Sequence, residues 1–240
     1  MTAEAFAAAI APIIDDVHRR LHELSAPAGR AVIDQLDQPP TQLGSLITLR
    51  FRLLGGPVPV SAVLLSARYS PADRVRRATA ELVDAGWLLE QGDAVSATDR
   101  TTALLHQLYD IHAATIGAHW EPTDVDLSSL AGLVQRLLLA GEQSAGPAFS
   151  ALSPPFERPG DRAGLLLFNR LAALRYHRSD AHAAAWAAEG LTAGQMVDLE
   201  PGARRERIEA ATNRTAAAPF VALTTDERTE LLHGLGRLPR

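Results

Sequence analysis

The stretch Pro57–Arg100, PVPVSAVLLSARYSPADRVRRATAELVDAGWLLEQGDAVSATDR, decides the fold. Ser70, Pro71 and Asp73 supply an N-cap, a first-turn proline and an acidic third position, so a helix is expected to start there. Apolar residues then recur at Val75, Ala78, Leu82 and Val83, one face of a 3.6-residue period. Gly86, following Asp84-Ala85, suits the left-handed position that ends a helix, and Trp87-Leu88-Leu89 begins a strand. Gln91-Gly92-Asp93 turns the chain back into Ala94-Val95-Ser96-Ala97, a second short strand. Pro59 to Ala67 reads as a preceding helix, with Arg68-Tyr69-Ser70 as the turn. The order helix, turn, helix, hairpin is the outline of a winged helix-turn-helix with a short β-hairpin wing.

Working outward, Thr98-Asp99 caps a long helix from Arg100 to about Gly117, with Leu104, Leu105, Leu108, Ile111 and Ile116 as its apolar side. Upstream, a helix from about Gln42 to Leu54 follows a break at Pro39-Pro40. The first helical region, residues 2 to 24, carries a narrow stripe of Ile14, Val17, Leu21 and Leu24, with Pro12 expected to start a new helix. That stripe wants a partner, either in the same chain or in a second subunit. His18 and His22 lie four apart beside it, one turn from Asp15, but no third and fourth metal ligand is evident. His106, His112 and His119 on the long helix read as packing or surface residues.

Trp120-Glu121-Pro122-Thr123 breaks the chain, which places the domain boundary between residues 1–120 and 121–240. The second half is helical by pattern, over Val125–Ala140, Ala163–Gly190 with a break near Ser179, Ala203–Ala217 and Thr225–Leu235. The proline-rich SAGPAFSALSPPFERPGD, Ser144–Asp161, is expected to be a lid or a covering strap. Leu231, Leu232 and Leu235 form another stripe suited to a subunit interface. The fold class is therefore mainly α, a winged helix-turn-helix followed by a helical half.

Composition narrows the chemistry. The 240 residues include no cysteine, which rules out disulfides, thiolate metal sites and cysteine nucleophiles. All 23 basic residues are arginine, the net charge is −5 and the pI is about 5.9, so any nucleic-acid binding must rest on a local surface. Glu4 stands where a signal peptide would carry positive charge, and no apolar run reaches the ~20 residues of a membrane span, so the expected location is cytoplasmic, away from membranes. No G-x-S-x-G, P-loop, dinucleotide fingerprint or HExxH motif occurs, so no enzyme and no cofactor is expected; a small enzyme acting in the second half, the third and least favoured alternative, would have to be assembled from distant residues.

Two groups of residues carry the functional expectation. Arg74 and Arg77, with Arg68, Ser70 and Arg76, lie where helix-turn-helix proteins contact bases and phosphates of double-stranded DNA. Against this, Asp73, Glu81 and Asp84 balance the three helix arginines, which could be paired within the protein. The second group is Arg175, Tyr176, His177, Arg178, Asp180 and His182, followed by Trp186. Such a cluster can hold an anionic or aromatic small molecule through charge-assisted hydrogen bonds and stacking. The competing reading makes Asp180 a helix cap paired with Arg178 or His177, joining two helices and nothing more.

Gly44–Leu105 resembles the winged-helix core of MarR-like bacterial regulators, above all in RVRRATAELVDAGWLLEQGDAVSATDR, Arg74–Arg100. The resemblance implies a homodimeric DNA-binding regulator with a reading helix in the major groove and often a small-molecule effector near its dimer helices. The wing departs from that pattern: Glu90-Gln91-Gly92-Asp93-Ala94 is short and acidic where such regulators place arginine or lysine. Further runs, LRYHRSDAHAAAWAAEGLT (Leu174–Thr192) and LEPGARRERIEAATNRTAAAPF (Leu199–Phe220), resemble a family of actinobacterial helix-turn-helix-labelled proteins without an established activity. RFRLLGGPVPVSAVLLSARYSPADRV is similar to that family's early region. Two functions are thus expected as alternatives: a DNA-binding regulator, or a small-molecule-binding or sequestering protein that keeps the winged-helix shape without reading DNA.

Overall fold

The structure, a computed structural model, describes residues 1–39 and 42–239, without the side chains of 43, 45, 48, 50 and 51. The break at Pro39-Pro40 therefore falls partly outside the described residues. The chain is mainly helical and carries one small antiparallel sheet.

It opens with α1 (Ala3–Ile33), capped by the Thr2 hydroxyl, which accepts from the Ala5 N–H. Pro12 was expected to start a new helix, yet α1 runs through both Pro12 and Pro27. An interior proline costs a helix about 3 kcal/mol. Phe6 and Ile10 before Pro12, and Ile14, Val17 and Leu21 after it, are all buried. At about 1.5–3 kcal/mol per buried side chain, packing on both sides of the proline outweighs that cost.

Next come α2 (Leu43–Leu53), β1 (Val58–Pro59), α3 (Val60–Ser66), α4 (Ala72–Asp84), β2 (Leu88–Gln91), β3 (Ala94–Ala97) and α5 (Asp99–His119). Helix α4 starts one residue later than expected. Pro71, not Ser70, holds the cap position, and no side chain caps it. Gly86 has φ +68° and Gly92 φ +64°. The first closes α4, and the second makes Gly92-Asp93 the two-residue hairpin loop between Gln91 and its partner Ala94. Strand β1, which the sequence reading missed, pairs Val58 with Val95 and completes the sheet in the order β1-β3-β2. Arg100 ties this region to α5: its guanidinium lies 4.1 Å from the centre of the Trp87 ring and donates to the Gly86 and Ala85 carbonyls.

The later elements are α6 (Leu127–Gly141), α7 (Pro147–Leu152), α8 (Ala163–Ala188), α9 (Ala193–Val197), α10 (Ala203–Ala216) and α11 (Thr225–Gly236). Helix α8 passes through Ser179 without the expected break. The Ser144–Asp161 segment contains α7 and then a strap fastened to α5 and α8. Asp161 takes hydrogen bonds from the Tyr109 hydroxyl and the Arg158 N–H, and Glu157 pairs with Arg170 at 2.7 Å.

Two large apolar clusters hold these elements. One unites α1, the distal part of α5, α6, α8 and the C-terminal residues through Leu238. The other joins α2, α3, α4, the sheet and the start of α5, and takes in Ala148 and Leu152 of α7. Trp120, beside the expected boundary, is buried in the first cluster among residues from both halves, so packing is continuous across residues 120–121. The Ile14, Val17 and Leu21 stripe is buried within the chain. So are Leu231 and Leu235, which were expected at a subunit interface. Leu24, the last residue of the first stripe, is exposed.

Candidate ligand cavity between α1 and α8

The residues expected to read DNA separate in the structure. Arg74, Arg76 and Arg77 are exposed on α4 and make no ion pair among the described residues. At 100° per residue, the outward meridian opposite Val75, Ala78 and Leu82 is held by Asp73, Ala80 and Asp84. Arg76 and Arg77 flank this line, and Arg74 lies further round, towards the buried side. Glu81 accepts a hydrogen bond from Gln42 at 2.8 Å and, among the described residues, does not pair with an arginine. Ser70 is exposed in the turn.

Arg68 departs from the expectation altogether. It turns inward to Asp180 on α8, with Nη2 2.5 Å from the carboxylate and Nη1 3.1 Å from the Ser179 carbonyl. Both side chains are about nine-tenths buried, at 11% and 8% exposure. The guanidinium is thus unavailable to a phosphate, because its charge is committed to a buried partner.

Asp180 also accepts from the Ala148 and Phe149 N–H groups at 3.2 and 2.8 Å, capping α7. Its capping role was anticipated, but its ionic partner is Arg68, neither Arg178 nor His177. Gly146 makes this approach possible: a Cβ there would lie 2.5 Å from the Asp180 Cβ. His177 is buried beside it, and burial pushes its pKa below the ordinary 6.5. The Ser144 hydroxyl lies 2.9 Å from His177 Nε2. Asp180 is engaged by Arg68 and α7, and among the described residues no carboxylate hydrogen-bonds to His177 to complete a Ser-His-Asp arrangement.

Most of the second expected group lines one cavity of about 530 Å³. Arg175, Tyr176, His177, Arg178 and His182 contribute the α8 wall; Asp180 and Trp186 do not reach it. Trp186 packs instead in a small cluster with Met196 and Ile208. Ala7, Ile10, Ala11 and Ile14 form an apolar wall on α1, with His18 and His22 further along it, and Glu209 and Phe220 belong to the C-terminal side. Tyr69, from the turn before α4, lines it too, with Ile47 of α2 and Ser66 of α3; Tyr69 is 41% exposed.

The polar groups of the lining hold one another. Arg175 Nε is 2.8 Å from Asp15, across the gap between α8 and α1. Arg178 is 3.1 Å from Glu209 and also donates to the Asn213 side-chain oxygen at 2.8 Å. The Tyr69 hydroxyl and His182 Nδ1 are 2.6 Å apart. Partial burial raises the Tyr69 phenol above its ordinary 10, while burial lowers His182 below 6.5 against the opposing pull of Glu209. Both cavity histidines on α8 are therefore neutral at pH 7. On α1, His18 donates through Nε2 to the Phe168 carbonyl at 3.2 Å and stacks on the Phe168 ring. Among the described residues no group of three His, Asp or Glu is arranged to hold a metal ion, and no helix is long and apolar enough to cross a membrane.

The sequence reading assembled the α8 wall but missed the α1 wall, Tyr69 and Glu209. Asp15 and His18 were visible as one helical flank, and nothing local signalled which helix they would face. Comparison of the chain with protein-family models, with curated proteins and with solved structures finds no match.

Proposed function

We propose that the protein binds a small molecule in the α1–α8 cavity. In this reading α3, α4 and the β2–β3 hairpin are a winged-helix unit of MarR-like shape that is fixed to the ligand-binding half and does not read DNA. The observation that carries it is the cavity itself. At about 530 Å³ it falls in the range that holds a drug-sized molecule, and it pairs an apolar wall with a few convergent polar groups. The winged-helix unit contributes Tyr69 to the lining, and Arg68 from the same turn is committed to Asp180.

A thermal-shift screen against metabolite libraries tests this with the wild-type protein and two cavity-filling variants, Ala11→Trp and Ala172→Trp. Compounds that raise the wild-type melting temperature and leave both variants unmoved support it. A screen in which every stabilising compound acts equally on all three proteins counts against it.

A second reading, the homodimeric DNA-binding regulator, is favoured by one observation: Arg74, Arg76 and Arg77 stand exposed and unpaired among the described residues. Opposed to it are Asp73 and Asp84 between those arginines and the exposed Glu90 and Asp93 on the hairpin. A binding selection on genomic fragments at two salt concentrations separates the two. Phosphate contacts release counterions and make affinity fall steeply with salt. Enrichment of one sequence that is lost in Arg74→Ala/Arg77→Ala would establish the regulator.

A further inference from the structure

Resting on the cavity reading above, we infer that the ligand is uncharged: an apolar, ring-sized body with hydrogen-bonding groups along one edge, and no carboxylate, sulfonate, phosphate or ammonium group. Among the described residues, four arginine, aspartate and glutamate side chains line the cavity, those of Asp15, Glu209, Arg175 and Arg178. They form two cross-element pairs, Arg175 with Asp15 and Arg178 with Glu209. Of the remaining titratable groups, burial lowers His177 and His182 and raises Tyr69, which favours their neutral forms at pH 7; on the α1 wall His18 is committed to the Phe168 carbonyl and its ring lies beside that of His22.

An anion drawn to either arginine meets the carboxylate already beside it, and a cation drawn to either carboxylate meets the arginine. Opposing charges at similar distances cancel most of the attraction, while the ligand still loses its hydration on entering. A neutral molecule loses nothing of this kind. Its polar edge can accept from the remaining N–H groups of Arg175 and donate to the second oxygens of Asp15 and Glu209, leaving both pairs intact. Its body lies on Ala7, Ile10, Ala11, Ile14 and Phe220.

Two fluorescent probes that share one frame test this directly. N-phenyl-1-naphthylamine is neutral, and 8-anilinonaphthalene-1-sulfonate is the same skeleton with a sulfonate. Titrated at pH 7.5 in moderate salt, the neutral probe is expected to bind wild type at least tenfold more tightly, with the signal lost in Ala11→Trp and Ala172→Trp. Asp15→Asn, at an exposed position, frees Arg175 from its carboxylate. It is expected to tighten the sulfonate probe at least fivefold and to leave the neutral one unchanged. Equal affinities for the two probes in the cavity, with no gain in Asp15→Asn, would overturn the inference while leaving the cavity reading standing. If neither probe gives a signal that the filling variants abolish, the cavity reading fails and takes the inference with it.

Discussion

Arg68, in the turn between α3 and α4, and Asp180, in the middle of α8, form a buried ion pair at 2.5 Å that fixes the sheet-bearing part of the chain to the helical half. They are separated by 112 positions in sequence, and α7 completes the joint by presenting two backbone N–H groups to the same carboxylate. Removing one partner of such a pair leaves a buried charge without compensation, which costs about 3–5 kcal/mol. Asp180→Ala is expected to lose that much in urea unfolding. Arg68→Met/Asp180→Asn, which removes both charges, is expected to recover a substantial part. Equal losses in the single and double variants would show that the charges are not coupled.

Gly146 is where the α7 turn passes the Asp180 side chain. The Cβ of Gly146→Ala would lie 2.5 Å from the Asp180 Cβ, which cannot swing aside without breaking the joint. A destabilisation of about 1–3 kcal/mol is expected, in the range of overpacked cores. Gly132→Ala, whose Cβ meets nothing within 4 Å, is the control and is expected to be neutral or slightly stabilising in the middle of α6. Unfolding midpoints of the two variants settle the comparison.

These two sites also mark what could and could not be read from the sequence. Caps, turns and periodicity are local, so α4, the Gly86 stop, the Gly92 turn and the Thr98 cap were legible within a residue or two. Pro12 misled because its local cost is outweighed by tertiary burial that no short window contains. Arg68 misled for a related reason: an arginine in the turn between two short helices looks free until a residue over a hundred positions away is known to face it. The α8 wall of the cavity was visible as a cluster on one helix. Its opposite wall on α1 depends on which helices pack together, and a single helix does not encode that.

Acid should weaken the protein in a defined way. Burial holds His177 and His182 below the ordinary 6.5, so in the unfolded chain they take up protons that the folded chain refuses. Their contribution is fully present above pH 6.5 and is lost as pH falls through that value towards their folded pKa. Stability against urea is expected to decline over this window by up to about 1.4 kcal/mol per pH unit for each histidine. His177→Gln and His182→Gln should each flatten the slope. An unchanged slope in both would show that other groups set the dependence.

A second acid-sensitive point lies at the start of α11. Glu227, held by Arg136 and by the capping box with Thr224, has a pKa lowered from 4.5 to about 2. Its contribution is present above pH 4.5 and is lost as pH falls towards 2. Glu227→Gln is expected to lose that part of the acid dependence and to speed amide exchange in the first turn of α11. Exchange that stays at the wild-type rate would contradict the assignment.

The central claim is that the α1–α8 cavity, and not the exposed face of α4, is the working site. The most direct measurement is calorimetric titration of the strongest stabilising compound from the screen into four proteins: wild type, Ala11→Trp, Ala172→Trp and Arg74→Ala/Arg77→Ala. The account predicts that wild type and the double arginine variant bind equally, one molecule per chain, while filling the cavity from either wall weakens binding by at least a hundredfold. Undiminished binding in both filling variants would contradict it.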